Sequence, residues 1–152
     1  MTDEMREKIH QNILKFGQHV ILVQASEGDP ADFQPFVYTI GNHEVGLPEL
    51  LLIGTADSMY GRILNILGGI QRERGTPFQF GESVDFTAAL PARVIDAGQK
   101  GRDEYAVQAG VYYRSDDVAI QQVLLPDQNG KYPGEAGCQP PYCDQPLLTV
   151  IH

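Results

Sequence analysis

Short apolar runs of strand length, separated by loops, alternate irregularly with longer amphipathic segments. Apolar residues are continuous over 20–23 and 50–53, and β-branched and aromatic residues cluster over 36–40. Runs of this length bounded by turn residues are typical of strands. Because helices and strands do not alternate regularly, the pattern predicts an α+β fold with a mainly antiparallel sheet. Closure of this sheet into a barrel-like form is the alternative.

About three helices are expected to pack on this sheet. Apolar residues recur at helical spacing in the first of them: Met5, Ile9, Ile13 and Phe16. Gly17 is placed to end that helix. A second helix runs from a cap at Thr55 to about Arg74, and its internal Gly68–Gly69 indicates either close packing or a kink. A third helix is predicted over 102–113.

The chain of 152 residues, 42% of them hydrophobic, is expected to form a single domain over 1–152. Later strands are predicted at 93–95 and 118–125, and the second leads into an Asn129–Gly130 turn. The segment 147–151 is expected to add an edge strand. Unpaired edges invite pairing with a second copy, so a homo-oligomer is one expectation.

Charge and hydropathy indicate which kinds of partner and which cellular compartment to expect. The formal net charge is −9, and the 11 lysines and arginines are scattered along the chain. Arg72 and Arg74 are interpreted as helix-end charges, so no basic stripe that could follow a phosphate backbone is evident and no nucleic acid is expected. No secretory signal opens the chain and no apolar run is long enough to cross a bilayer, so we expect a cytoplasmic protein without membrane contact.

Several short segments, taken in order, resemble the bacterial domain-of-unknown-function family 4262. They are 35–41 (PFVYTIG), 46–50 (GLPEL), 63–65 (ILN), 122–127 (QVLLPD), 130–133 (GKYP) and 145–148 (QPLL). The resemblance implies a small bacterial cytosolic protein that stands alone as one domain, and it implies no known reaction. The family pattern has Trp after the proline of the late motif, where this chain has Gly134.

One group of candidate site residues lies at the end of the second predicted strand and in the loop after it. Tyr38, Thr39, His43 and Glu49 are the candidates there, with Glu44 beside them. An imidazole near carboxylates is suited to acid–base chemistry, because it titrates near neutral pH. The alternative, which the residue types favour, is a half-buried strand with Glu49 capping or pairing locally.

A second group follows the strand predicted at 118–125. Asp127 and Tyr132, with Lys131 between them, could form a ligand loop. The alternative is a hairpin in which Asp127 accepts hydrogen bonds from the backbone that follows it, as in Asx turns. That alternative explains the residue types fully and is preferred.

The two cysteines, Cys138 and Cys143, are four residues apart. No histidine stands at ligand spacing from them, so no metal site is predicted. Ordinary free thiols are expected, with a reversible disulfide under oxidation as the alternative. Neither a G-x-S-x-G motif nor a phosphate-binding G-x-x-x-x-G-K-[ST] loop is present.

Three functions remain open from the sequence, and whether the protein is an enzyme is left undecided. A non-catalytic binding or interaction domain for a protein or small molecule is placed first, because no triad, metal set or cofactor loop is evident. A flavin- or small-ligand-binding barrel is second, on a loose similarity of 36–70 to split barrels. A small hydrolase using His43 with Glu44 or Glu49 is third. No cofactor is predicted, and flavin is the alternative.

Overall fold

A computed structural model of the protein describes residues 1–54, 56–86 and 88–149. One sheet carries helices on both faces. The strands are β1 (His19–Val23), β2 (Phe36–Ile40), β3 (Glu49–Ile53), β4 (Glu82–Val84), β5 (Ala92–Asp96) and β6 (Ile120–Leu124). The helices are α1 (Asp3–Phe16), α2 (Ser58–Arg74), α3 (Gly98–Lys100) and α4 (Val107–Tyr113), with a π-helical turn at Gly101–Tyr105 and 3₁₀ turns at Asn42–Val45 and Tyr142–Asp144.

The α+β prediction is confirmed, but the sheet is mixed rather than mainly antiparallel. Its strand order is β1-β2-β3-β6-β5-β4, and β6 lies parallel to β3 at the centre, with Glu49 beside Ile120. The chain leaves β3, crosses through α2 and the β4–β5 hairpin, and returns in the direction of β3. The sheet is also open rather than barrel-like, because within the described residues β1 and β4 are unpaired on their outer sides.

The described part of the chain contains four helices rather than three. The segment predicted as one helix over 102–113 begins earlier and is divided into α3, a π-helical turn and α4. Ala106, with φ −79° and ψ 47°, interrupts the helical backbone between the turn and α4. Periodicity of apolar residues does not detect such an interruption, because the same face stays apolar on both sides of it.

Two apolar layers hold the helices on the sheet. On one face, Ile9 and Ile13 of α1 and Ala109 of α4 pack with Tyr38 and Leu51. The other face is covered by α2. Its buried apolar side chains and those of the sheet beneath it are Leu64, Leu67, Val37, Leu50, Leu52, Val94 and Val123. Alternate residues of the central strands therefore enter different layers, which is why these strands are apolar throughout.

Gly17 ends α1 as predicted, and the residue that caps the start of α2 is Asp57. The backbone N–H of Gly17, in the left-handed conformation, donates to Ile13 and ends α1 as predicted. At the start of α2 the cap is Asp57, whose carboxylate accepts from the backbone N–H of Tyr60. The cap predicted at Thr55 falls outside the described residues. An aspartate at this position satisfies a free backbone N–H as well as threonine does.

Side-chain hydrogen bonds hold the chain after β6 against the sheet. The side chain of Gln122 donates to the carbonyl of Pro146 and accepts from the backbone N–H of Leu148. The hydroxyl of Thr149 donates to the carbonyl of Asp96. Residues 147–149 are therefore held by side chains and form no strand, and the rest of the edge strand predicted at 147–151 lies outside the described residues.

No described helix is both long and apolar enough for a membrane span.

Candidate functional site

A buried carboxylate, that of Glu49, joins the end of β2 to the start of β3. The Glu49 side chain is 0% exposed. Its oxygens accept hydrogen bonds from the backbone N–H groups of Gly41 (2.9 Å), Asn42 (3.1 Å) and His43 (3.0 Å) and from the hydroxyls of Thr39 (2.8 Å) and Tyr113 (3.1 Å). A buried charged group is tolerated when it is hydrogen-bonded in this way, so Glu49 fixes the turn between the two strands.

Opposing effects act on the protonation of this carboxyl. Burial raises the pKa of Glu49, whereas the backbone N–H groups around it, first that of His43, and the hydroxyl of Thr39 stabilise the carboxylate and oppose the rise. The pKa of the Tyr113 phenol is also raised, by burial and then by the charges of Glu49 and Glu44. Tyr113 therefore remains a hydrogen-bond donor to Glu49 at neutral pH.

Amide side chains connect this turn to α2. Asn42 donates from Nδ2 to the hydroxyl of Thr39 (3.1 Å) and to Oε1 of Gln18 (3.0 Å). Arg72 donates from Nη1 to Oε1 of Gln18 (2.6 Å) and to Oδ1 of Asn42 (2.7 Å). Gln18 is tied to α2 by a bond from Nε2 to the carbonyl of Leu64 (3.0 Å). Because Gln18 and Asn42 are buried and fully paired, they hold the Arg72 guanidinium in one place.

Glycines make room for this network. A Cβ atom at Gly68 would lie 2.0 Å from Oε1 of Gln18 and 3.1 Å from Nη1 of Arg72. A Cβ atom at Gly17 would lie 2.7 Å from Nε of Arg72. By contrast, a Cβ atom at Gly69 would meet no atom within 4 Å. The close-packing explanation of the helix glycines therefore applies to Gly68 and not to Gly69.

The Arg72 side chain faces a cleft of about 540 Å³ along the start of β1, which we call the β1 cleft. Its walls come from α1, β1 and α2, and the lining residues are Lys8, Asn12, Phe16, Gln18, His19, Val20, Asn65 and Arg72. Since β1 is an edge strand with α1 on one face and α2 on the other, the cleft lies beside the start of the strand's open edge.

Positive charge is concentrated in the β1 cleft. Of the residues that the structure describes, Lys8 and Arg72 line it, and no aspartate or glutamate does. Within residues 1–54, 56–86 and 88–149, neither cation forms an ion pair with a carboxylate. Burial lowers the pKa of Arg72, and the nearby charge of Glu49 opposes this. In a protein whose formal net charge is −9, two unpaired cations in one cleft form a local site for an anion.

His19 supplies a further donor to the cleft. Nδ2 of Asn12 lies 2.8 Å from Nδ1 of His19. Burial lowers the pKa of His19, and the charge of Lys8 lowers it further, so the neutral ring is favoured at neutral pH. A neutral ring that accepts an amide N–H at Nδ1 carries its proton on Nε2. His19, which lines the same cleft as the two cations, therefore carries an N–H donor at Nε2.

The first predicted cluster is brought together in part. Thr39 and Glu49 are hydrogen-bonded to each other, and His43 joins them through its backbone N–H. The imidazole of His43 packs against the ring of Tyr113 at a tilt of 52°, with ring centroids 4.6 Å apart. Tyr38 lies elsewhere, where its hydroxyl accepts from the backbone N–H of Gln108 at the start of α4. Burial raises the pKa of Tyr38.

The second predicted cluster forms the turn after β6. The carboxylate of Asp127 accepts from the backbone N–H groups of Asn129, Lys131 and Gln139, each at 2.9 Å. The Asx-type turn is therefore present as predicted, but the predicted hairpin is not, because none of the described residues after this turn forms a strand. Tyr132 donates to the carbonyl of Pro91 at 2.6 Å, away from that carboxylate. Asp127 also borders a largely apolar cavity of about 270 Å³ beside the start of α2.

Replacing Asp127 by asparagine is expected to change the acid response of the protein. The N–H of Lys131, followed by those of Gln139 and Asn129, holds the pKa of Asp127 below its usual value. The contribution of this carboxylate to stability is therefore complete above its unfolded-state pKa of about 3.9 and is lost as pH falls through the lower folded-state value. Asp127→Asn should lower the melting temperature at neutral pH, and the gap from wild type should close only in acid.

Thermal melts of wild type and variant between neutral pH and about pH 2 measure this gap. Asp116→Asn, at an exposed position, is the matched control and should melt like wild type throughout. A gap of constant size at every pH would contradict the role given to the Asp127 carboxylate.

Cys138 and Cys143 are free thiols in the described structure. The thiol of Cys138 lies 3.4 Å from the carbonyl of Lys131. Burial raises the pKa of both thiols, and nearby carboxylates raise it further, first that of Asp127 for Cys138 and that of Asp144 for Cys143. In the ranges 1–54, 56–86 and 88–149, no three histidine, cysteine, aspartate or glutamate side chains lie close enough to hold a metal ion.

The sequence reasoning missed the residues of the β1 cleft. Arg72 and Arg74 were both interpreted as helix-end charges. That interpretation fits Arg74, whose side chain is on the surface and pairs with Glu82 at 2.6 Å. Arg72 is also in the last turn of α2, but its side chain turns inward to Gln18. The available signal was the glycine at 68, one turn before Arg72, which marks close contact with another part of the chain.

The fold and the cleft define a small α+β protein with a polar, positively charged recess at a sheet edge. The family model for a domain of unknown function, DUF4262, matches residues 12–139, and the chain belongs to this family. The match includes all of β1 through β6 and most of the cleft. No curated protein and no solved structure gives a significant match.

Proposed function

We propose that the protein is a non-catalytic binding domain that recognises a carboxylate in the β1 cleft. This proposal rests on the Arg72 guanidinium. Gln18 and Asn42 hold it in place, and it forms no ion pair with a carboxylate among the described residues. A guanidinium held in this way has already lost its conformational freedom before a ligand arrives. Lys8 adds a second charge, and His19 adds a neutral donor.

The chemistry of the lining side chains supports binding rather than catalysis. They are amides, an ammonium, a guanidinium, an imidazole and two apolar groups, with no serine, cysteine or carboxylate among them. The imidazole of His19 is engaged at Nδ1 by Asn12. These groups donate hydrogen bonds to an anion but include no activated nucleophile.

The other functions remain predictions with less support. A hydrolase using His43 with Glu44 or Glu49 would need an accessible carboxylate near the imidazole, and the Glu49 oxygens are occupied within the protein. A flavin-binding barrel was suggested by the strand pattern over 36–70, and the open sheet gives it no further support. We also propose a bacterial, cytoplasmic setting, on the family resemblance alone.

Replacing Arg72 by glutamine is expected to weaken carboxylate binding about tenfold, because one charge-assisted hydrogen-bonding group is lost. Isothermal titration with succinate at low ionic strength, where surface charges are least screened, measures the affinity. Arg72→Lys keeps the charge but loses the planar donors and should give an intermediate affinity. Arg62→Gln, on an exposed turn of the same helix, should bind like wild type.

Circular dichroism of each variant shows whether it is folded, so that a loss of binding can be separated from a loss of structure. The proposal fails if folded wild-type protein binds no succinate, or if Arg62→Gln and Arg72→Gln weaken binding equally.

A further inference from the structure

We propose that the β1 cleft receives the C-terminal segment of a partner protein, which adds to the sheet as a strand antiparallel to β1. The terminal carboxylate would then lie beside Lys8, His19 and Arg72. This inference rests on the proposed carboxylate-binding function, and it adds the class of ligand and its orientation.

The edge of β1 has few features that would prevent another strand from pairing with it. Its five residues, His19–Val23, pair with β2 in continuous register without a bulge, and they include no lysine or proline. The opposite edge, β4, has only three residues, and the first of them, Glu82, forms an ion pair with Arg74. Long, regular, unprotected edges are sites of strand addition.

Apolar side chains line both sides of this edge. Val20 packs into the layer beneath α2, and Leu22 of the same strand face is 45% exposed. On the α1 side, Phe16 lines the cleft and is 61% exposed. Successive side chains of an added strand point to opposite faces, so they would contact Phe16 on one side and Val20 and Leu22 on the other.

Charge sets the direction of the added strand. The cations Lys8 and Arg72 lie at the start of β1. The loop that leaves the end of β1 carries the exposed side chains of Glu27, Asp29 and Asp32. An antiparallel peptide places its carboxyl end at the start of β1 and its amino end at this acidic loop. A parallel peptide would bring its carboxylate to the acidic loop, which like charges disfavour.

The geometry also specifies the length and composition of the ligand. Five strand residues span about 17 Å, so β1 can pair with about five peptide residues. We expect apolar and β-branched residues before the carboxylate and a basic residue upstream of them.

The test uses a synthetic pool of hexapeptides that begin with lysine, carry Val, Ile, Thr or Phe at every later position and end in a free carboxylate. The matched pool is identical except for a C-terminal amide. Nitrogen-15 backbone spectra of the protein should show shifts at the amides of His19–Val23 with the first pool. The amide pool should bind about tenfold more weakly, because it lacks the charged acceptor.

Backbone methylation of the peptides separates strand addition from a simple salt contact. Alternate residues of an added antiparallel strand direct their N–H groups toward β1. Methylation of one alternating set of amides should weaken binding about tenfold or more, because these hydrogen bonds are lost, while methylation of the other set should leave it nearly unchanged.

The outcomes distinguish this inference from the proposed function. If succinate binds with dependence on Arg72 but the free-carboxylate pool shifts no β1 amide at millimolar concentration, strand addition is overturned and the binding function stands. If both methylated sets bind equally, strand addition is likewise overturned. If neither succinate nor peptide binds, both proposals fall.

Discussion

Alanine at position 68 should destabilise the protein, and alanine at position 69, the next residue, should stabilise it. Alanine is favoured over glycine in a helix interior by about 0.5–1 kcal/mol, so both replacements gain on helix propensity alone. At Gly68 the new Cβ would lie 2.0 Å from Oε1 of Gln18. Gln18 must then leave its bonds to Arg72 and Asn42, and we expect a net loss of about 2 kcal/mol.

Urea denaturation of both variants measures these free energies of unfolding. The Gly69→Ala variant is the internal control, because a Cβ atom there meets no atom within 4 Å. Equal effects of the two replacements would show that the Gln18 network does not depend on the space at Gly68.

Replacing Glu49 by glutamine is expected to cost about 3 kcal/mol of stability, although the side chain keeps its shape. Backbone N–H groups donate to both oxygens, Asn42 to Oε1 and Gly41 and His43 to Oε2. In either orientation of the new side-chain amide, its NH₂ group therefore faces a backbone N–H group. Two donors then face each other, and neither has a hydrogen-bond acceptor. The fixed backbone of this turn cannot rotate to relieve the conflict.

The exposed Glu44, in the same 3₁₀ turn, gives the matched control Glu44→Gln, which should change stability by less than about 0.5 kcal/mol. Chemical denaturation at neutral pH compares the two variants. If Glu49→Gln is as stable as wild type, the carboxylate does not hold the β2–β3 turn.

The elements that local sequence determines were predicted well. The strands β1, β2 and β3 and the helix α1 follow from apolar runs, a periodic stripe and the glycine after it. Asp127 was assigned to its turn because an aspartate that bonds the backbone just after it needs only neighbouring residues. In each case the information lies within a few residues.

Features that depend on distant parts of the chain were not predictable. The placement of β6 beside β3 depends on how the chain crosses the sheet, and apolar runs carry no strand direction. The β1 cleft combines α1, β1 and α2, and its central bond joins Gln18 to Arg72, which are far apart in sequence. Glu49 was a candidate because of its residue type, but its five hydrogen-bond donors come from β2, from the turn after it and from α4.

The side-chain Nε–H resonances of the arginines test carboxylate recognition most directly, in nitrogen-15 spectra recorded while succinate is added at low ionic strength. We predict that the resonance of Arg72 shifts until it saturates, at the same succinate concentration as the backbone resonances of His19 and Gln18. The resonances of Arg62 and Arg74 should not shift. Small, linear, unsaturated shifts shared by all arginines, or no shift at Arg72, would contradict the account of the β1 cleft as a carboxylate-binding site.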